Sequence, residues 1–280
     1  MRGRVLVIGG SDSSGGAGIQ ADVKTLTAFG VYAATAITSL TAQNSQGVQA
    51  TIPVPPSFVR LEIALALAEP GADVVKTGML VNAATVAAVC DALQAGANPP
   101  RYVVVDPVLR ASAGGVLLDA EGLEALKQRL LPMAYLITPN VPEAEELSGM
   151  RVDSLAAMHR AAEALLSLGI PAVLVKGGHL PGPTVVDVLA TAEGTERFQE
   201  PRLIKQRTHG TGCTLASAVA AGLAQGLDLF AAVARARRYV RDAIAYAPDF
   251  GVEAGLLNHA VWRSDNDEAG PPSLLKAARE

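Results

Sequence analysis

The chain has 280 residues, 50% apolar and 18% charged, and its 23 Lys plus Arg against 27 Asp plus Glu leave a net charge of −4. That much apolar content with so little net charge excludes wholesale disorder, and mild acidity without a basic run argues against a nucleic-acid partner, which needs a cationic face. No stretch of about 18 uninterrupted apolar residues exists, so a membrane-spanning helix is excluded, and two cysteines, Cys90 and Cys213, make no disulfide framework.

The N-terminal apolar run over 5–8 is too short for the core of a signal peptide, and Asp12 follows at once; with two cysteines and no disulfide framework, a reducing cytoplasm is the expected setting. Residues 5–8 read as a strand, followed by a glycine-rich turn and a helix over 19–29 closed by Gly30. A second strand follows over 32–40, then a helix over 57–68 bracketed by prolines. Strands over 73–76, 102–105 and 135–138 alternate with helices over 83–95, 121–130 and 142–147. Ser154 is the expected N-cap of a helix reaching Leu168. A strand over 172–175 precedes two antiparallel ones near 185–190 and 196–199, and helices over 211–225 and 229–246 close the pattern. Short β-branched runs alternating with helices of a dozen residues predict an α/β fold with a mostly parallel sheet covered on both faces. No interdomain linker stands out, so 1–263 reads as one domain and 264–280 as a polar, mobile tail.

In such sheets ligands sit at the carboxyl ends of the strands, here the loops 9–18, 77–80, 106–115, 138–143 and 176–179. The first contains Gly16-Ala17-Gly18-Ile19-Gln20-Ala21, which fits a dinucleotide fingerprint except that no Asp or Glu occurs between Asp22 and Glu62 to hold a ribose. A tight strand-to-helix turn and a small-residue loop that lets a flat ligand approach the backbone remain as readings. No Walker-type phosphate loop is present. The run Thr208-His209-Gly210-Thr211-Gly212-Cys213-Thr214 before a long apolar helix is the stronger phosphate candidate, because helix-start amides and the helix dipole favour an anion. A plain glycine-rich helix entry is the alternative.

Cys213 at that helix start is expected to have a lowered pKa, with His209, four positions earlier, placed to share its proton. Cys90, inside an apolar helix, reads as inert. The four histidines show no metal-ligand spacing with each other or with the cysteines. Asn140 and Glu143, three apart, suit either a hydrated Mg²⁺ or a capping box, and the two readings are compatible. Asp106 ends an apolar strand, where a carboxylate needs a partner or a cation. Lys176 ends another and is placed to meet phosphate.

Five segments, Gly10–Asp22 (GSDSSGGAGIQAD), Ser39–Gly47 (SLTAQNSQG), Thr138–Glu146 (TPNVPEAEE), Val173–Leu180 (VLVKGGHL) and Thr208–Leu215 (THGTGCTL), resemble in order the bacterial hydroxymethylpyrimidine/phosphomethylpyrimidine kinases of the ribokinase-like superfamily. The resemblance implies a three-layer αβα fold with a mostly parallel central sheet and a small flap. It implies ATP-dependent phosphorylation of 4-amino-5-hydroxymethyl-2-methylpyrimidine, then of its monophosphate, in thiamine biosynthesis, by a cytoplasmic homodimer with no membrane partner. By position, Gln43 hydrogen-bonds the pyrimidine edge, with Gly10, Ala17, Asp22 and Met79 shaping its pocket. Gly210, Thr211, Gly212 and Cys213 form the anion hole, with Cys213 as base where most of the superfamily carries aspartate and His209 beside it. Lys176, Asn140 and Thr208 go to the nucleotide, and Asp106 and Glu143 to Mg²⁺. One departure is Ser112, about where the family places a lysine after Asp106-Pro107-Val108; Arg110 is the nearest substitute. Pyridoxal kinase of the same fold and a non-catalytic pyrimidine sensor are the competing implications.

Overall fold

Runs of Val, Ile and Leu too continuous for a half-exposed sheet become strands buried on both faces. In a computed structural model, which describes residues 1–44, 46–96, 98–111, 114–203, 208–249 and 255–261, nine strands form one sheet. In chain order they are β1 (Arg4–Asp12), β2 (Tyr32–Asn44), β3 (Gly47–Pro53), β4 (Val74–Thr77), β5 (Tyr102–Val105), β6 (Leu136–Ile137), β7 (Ala172–Val175), β8 (Thr184–Thr191) and β9 (Gly194–Pro201). Their spatial order is β3-β2-β1-β4-β5-β6-β7-β8-β9. Strands β2, β1, β4, β5, β6 and β7 run parallel, β3 is antiparallel on one edge, and the β8–β9 hairpin closes the other.

The helices are α1 (Gly18–Ala28), α2 (Pro56–Ala68), α3 (Ala83–Ala95), α4 (Ala120–Ala125), α5 (Val141–Ser148), α6 (Leu155–Leu166), α7 (Thr211–Ala224) and α8 (Leu229–Ala245). Ser154 does cap α6, accepting from the Ala157 amide at 3.2 Å. The helix predicted over 121–130 divides: α4 ends at Ala125 and a wider π turn continues over Leu126–Leu130.

Alternation along the strands supplies two cores. Leu6, Ile8 and Val75 point to a layer built from α2, α3, α5 and α6, with Val59, Ile63, Val86, Val89 and Met158 fully buried. Val5, Val7 and Val74 point the other way, onto α1, α7 and α8. Helix α7 is buried on nearly every side, which its alanine-rich sequence permits because small side chains let the sheet and α8 approach closely. Among the described residues, no helix is long and apolar enough to cross a membrane.

The sequence pattern predicts no strand at β3 and ends β2 at residue 40. The structure extends β2 to Asn44 and turns back into β3, so the segment 39–47 forms a hairpin rather than a loop. This hairpin forms a flap beside the crevice, distinct from the flap expected around Arg110 and Ser112, of which Ser112 lies outside the described residues. The strand order reverses between β1 and β4, and at such a switch point the diverging loops leave a crevice beyond the carboxyl ends of the strands. A two-residue parallel ladder, β10 (Thr208–His209) with β11 (Gly255–Leu256), ties the entry of α7 to the C-terminal segment beside that crevice.

Candidate active site

The crevice is a single cavity of about 1080 Å³ that receives residues from almost every loop at the carboxyl edge. Its first wall comes from β1. Asp12, at the strand end and almost wholly buried, accepts hydrogen bonds from the Ser14 amide (2.8 Å), the Ser14 hydroxyl (2.9 Å), the Ala17 amide (2.8 Å) and His209 Nε2 (2.9 Å). Burial alone would raise this carboxyl; the hydrogen bonds from His209, Ser14 and Ala17 outweigh it and hold it at about 2. The loop is thereby folded around a carboxylate, with Gly10 and Ala17 on the cavity wall. A Cβ at Gly10 would stand 2.8 Å from Ser39 Oγ and 3.0 Å from Met79 Sδ, so glycine is what lets β1, β2 and the Met79 loop meet here. Gln43 and Thr41 come in from the flap.

Asp22 does not join them. It is 1% exposed and lies beneath the cavity in a buried cluster, bonded through both carboxylate oxygens to Lys76 Nζ (2.9 and 3.0 Å) and accepting from Ser217 Oγ at 2.6 Å. The helical period explains the misplacement. One turn into α1, position 22 points at α7 and the sheet rather than back at the loop mouth. Burial works against both charges, and the carboxylate of Asp22 with that of Asp106 nearby keeps Lys76 protonated.

The second wall is the start of α7. Gly210 caps it with φ +84°, and a Cβ there would collide with the Gly16 carbonyl oxygen, so only glycine closes this loop onto the first one. Gly210, Thr211, Gly212 and Cys213 all line the cavity. A Cβ on Gly212 would lie 3.2 Å from Lys176 Nζ and 3.7 Å from Asp106 Oδ2, which places the helix start against these two side chains, themselves an ion pair. First-turn amides have no partner within a helix, so a lysine beside them completes an anion site.

The third wall carries the charges. Lys176 Nζ is 2.8 Å from Asp106 Oδ1, which also accepts from Thr138 Oγ1 at 3.0 Å. Burial would raise Asp106, and Lys176 with Lys76 reverses it, so the carboxyl is held low. Asn140 and Glu143 form the capping box of α5: the Glu143 amide donates to Asn140 Oδ1 at 3.0 Å and the Asn140 amide to Glu143 Oε2 at 2.8 Å. Glu143 is nonetheless a poor fit as a cap alone. It is 6% exposed, and burial plus the neighbouring Asp106, against Lys176, raise its carboxyl to about 7. A carboxyl so displaced is what two carboxylates give when they share too little positive charge.

Two expectations for Cys213 fail. Its thiol is not activated: burial first, then Asp22 and Asp106, push it up to about 12, against the pull of Lys76. The magnitudes explain the failure. A helix dipole contributes about 0.3–1 kcal/mol, at most about 2, whereas desolvation of a buried group reaches several pKa units at about 1.4 kcal/mol each. Nor does His209 pair with Cys213. Its Nε2 lies 2.9 Å from Asp12 and 3.1 Å from the Gln43 amide instead. Cys90 is fully buried and pushed up to about 11, as its inert assignment requires.

Several residues escaped the sequence reading. Lys76 was readable as a charge inside a buried strand, but its partner Asp22 was not. Asp12 and His209 are 197 positions apart, and no spacing connects them. At the far end of the cavity, Arg202 donates to the carbonyls of Gly178, Leu180 and Gly182, and the buried pair Asp187–Arg237 (2.7 Å) holds the Gly177 amide. Arg110 reaches the cavity rim, while Ser112 and the Thr208 side chain lie outside the described residues.

A family model described as phosphomethylpyrimidine kinase matches residues 12–258. A hydroxymethylpyrimidine/phosphomethylpyrimidine kinase of Streptomyces coelicolor is 45% identical over 91% of this chain and 93% of its own. A thiamine biosynthesis bifunctional protein of Geobacter sulfurreducens is 47% identical over 94% of this chain. The chain spans about half the length of that bifunctional relative, 54%, and nearly all of the Streptomyces kinase. Among solved structures, a Bacillus subtilis pyridoxal kinase in complex with ADP superposes with a TM-score of 0.84 at 34% identity, covering 93% of this chain and 98% of that one. A phosphomethylpyrimidine kinase from Clostridium difficile gives 0.76 at 38% identity, covering 86% and 99%.

Proposed function

The chain belongs to the phosphomethylpyrimidine kinase family, and from that premise we propose that it transfers phosphoryl groups from ATP, first to 4-amino-5-hydroxymethyl-2-methylpyrimidine and then to the monophosphate so formed. It is a kinase of the ribokinase-like fold, the fold of its pyridoxal and phosphomethylpyrimidine kinase neighbours. We take residues 1–263 as one kinase unit, in keeping with the single nine-stranded sheet.

The observation that carries the reading is one cavity in which a small-residue wall with an amide-bearing flap faces a helix-start anion site bordered by Lys176 and two carboxylates. Phosphoryl transfer asks the protein for positioning and charge neutralisation, and little else. Gly10, Ala17 and Met79 leave a flat slot, and Gln43 offers a donor and an acceptor to a ring edge. The hydroxymethyl arm then points at Cys213, and the amides of 210–213 with Lys176 receive the phosphoryl oxygens. Asp106 and Glu143 fit Mg²⁺, which takes one or two carboxylates and completes its shell with water and phosphate, and which supplies neutralisation of phosphate charge. The raised Glu143 carboxyl is the feature of this chain that such an ion would relieve.

Steady-state kinetics of the purified protein with ATP and, in turn, the pyrimidine, its monophosphate and pyridoxal tests the proposal. Turnover of both pyrimidines is expected; turnover of neither overturns it. Pyridoxal kinase is the second reading, favoured by the 0.84 superposition on a protein of that name. It replaces the first if pyridoxal alone is consumed.

Gln43→Ala should leave the ring's polar edge unpaired at a cost of about 1–3 kcal/mol, read as a raised KM for the pyrimidine with that for ATP unchanged. An unmoved pyrimidine KM would remove Gln43 from the site.

Glu143→Gln should lower activity, with part of it restored at high Mg²⁺. The same variant tests the carboxyl directly. With its folded pKa raised to about 7 from 4.5, the native state holds a proton there that the unfolded chain has released. This group's contribution to stability therefore falls as pH rises from about 4.5 to 7. Thermal unfolding in metal-free buffer should show that fall in the wild type and a flatter profile in Glu143→Gln. Identical profiles would mean that Glu143 ionises normally.

A further inference from the structure

The amide of Gln43 stands with Nε2 3.1 Å from His209 Nε2 and Oε1 3.3 Å from Thr41 Oγ1. The two ends of an amide are equivalent in shape and are told apart only by their partners. Here the partners decide. All four hydrogen bonds to Asp12 reach an ionised carboxylate, which accepts and never donates, so His209 Nε2 carries a proton and points it at Asp12. An amide nitrogen beside that N–H sets donor against donor. On the other side, Thr41 has one hydroxyl proton and gives it to the Ser11 carbonyl at 2.9 Å. What faces Thr41 must therefore donate, and an amide oxygen cannot. The two arguments are independent, and both require the amide turned over, with its oxygen toward His209 and its nitrogen toward Thr41. The Gln43 backbone is fixed as well: Ser13 Oγ accepts from its amide at 2.8 Å and donates to its carbonyl at 3.0 Å.

We propose that Asp12, His209 and Thr41 are positioning residues that lock the Gln43 amide in this one orientation, so that the site admits a ring edge with donor and acceptor in one order only. The inference rests on the pyrimidine reading above and adds its specificity. The amide oxygen, on the His209 side, accepts from an exocyclic amino group. The amide nitrogen, on the Thr41 side, donates to the adjacent unprotonated ring nitrogen. A 4-oxo pyrimidine, whose ring nitrogen is protonated, presents the same two positions reversed. A free glutamine would turn to read either; a locked one leaves the oxo compound with donor facing donor and acceptor facing acceptor.

Calorimetric binding to the full-length protein, without nucleotide, compares 4-amino-5-hydroxymethyl-2-methylpyrimidine with its 4-oxo analogue. The wild type should favour the amino compound by about 10–100-fold. In Thr41→Val/His209→Asn both constraints are gone, and the ratio should fall below about 3-fold through a gain in oxo binding. Thr41→Ser, which keeps the oxygen, should keep the wild-type ratio. A double variant that retains the wild-type preference, or that weakens both ligands equally, overturns the lock. A second measurement needs neither variant nor ligand: the ring ¹⁵N shifts of His209 should show Nε2 protonated. An unprotonated Nε2 refutes the network outright. If the wild type binds neither pyrimidine while Nε2 is protonated, the substrate reading fails and the geometry stands.

Discussion

Replacing Cys213 with alanine should cut turnover by about 10²–10⁴-fold, the usual worth of a positioned general base, and change ATP affinity little. The anion hole is mostly backbone and the thiol adds no charge to it at rest. Two lysines and two aspartates surround this thiol, Lys76 with Asp22 and Lys176 with Asp106, and their charges already cancel. A thiolate there, on a cavity wall largely shielded from bulk water, is an uncompensated anion, which is why the group is pushed up to about 12. Cys213 therefore waits as a thiol in the free enzyme, and below its pKa the fraction able to take a proton grows tenfold for each unit by which the pH rises.

That resting state has a kinetic signature. The ratio kcat/KM reports groups of the free enzyme, so it should climb through pH 7–9 without a plateau in the wild type and lose that slope in Cys213→Ala. Cys213→Asp should keep more activity than Cys213→Ala, because a carboxylate is ionised across this range. A wild-type profile flat in pH, or an alanine variant that turns over normally, would leave positioning and charge to carry the whole reaction. Alkylation would then be governed by access alone, and Cys213, half-buried on the cavity wall, still leads Cys90, which is fully buried.

The central strands were readable because a strand covered on both faces has no polar alternation to confuse with a helix; Val5–Ile8 and Val103–Val105 are examples. β3 was not, because its outward edge position leaves most of Gly47–Pro53 exposed and without an apolar rhythm. In the site, residues that act through local geometry were legible: Gly210 from its place before a helix, Asn140 and Glu143 from their spacing. Residues that act through contacts across the fold were not. His209 was assigned to Cys213 on sequence proximity, and the ladder of Thr208–His209 with Gly255–Leu256 instead sets it among residues from β1 and β2. Family resemblance puts Asp22 in the pocket, whereas its position one turn into α1 commits it to Lys76. Charge was the weakest signal of all, since whether a helix start lowers a thiol depends on every other charge within reach.

Lys176→Met should be the most damaging single change to stability and activity together. It removes the partner 2.8 Å from Asp106, a carboxylate 2% exposed, and leaves that buried charge with the Thr138 hydroxyl but without its cation. Breaking a buried pair in this way costs about 3–5 kcal/mol. Activity should fall by about 10²–10³-fold, the scale for losing one preorganised group that stabilises developing charge. The pH dependence separates this cause from simple mispacking. In the wild type Asp106 is held below its unfolded value by Lys176, so the pair's contribution is present above about pH 4 and disappears as pH falls through the lowered folded pKa. In the variant burial is no longer opposed by Lys176, the carboxyl rises and takes up a proton. The stability deficit should then be large at pH 7 and shrink toward pH 4. Lys176→Met/Asp106→Asn, which buries no unpaired charge, should regain much of the stability at pH 7 and none of the activity. A deficit independent of pH, or one that the second substitution fails to relieve, would mean that Lys176 acts through packing and that its charge is not what holds Asp106 in the site.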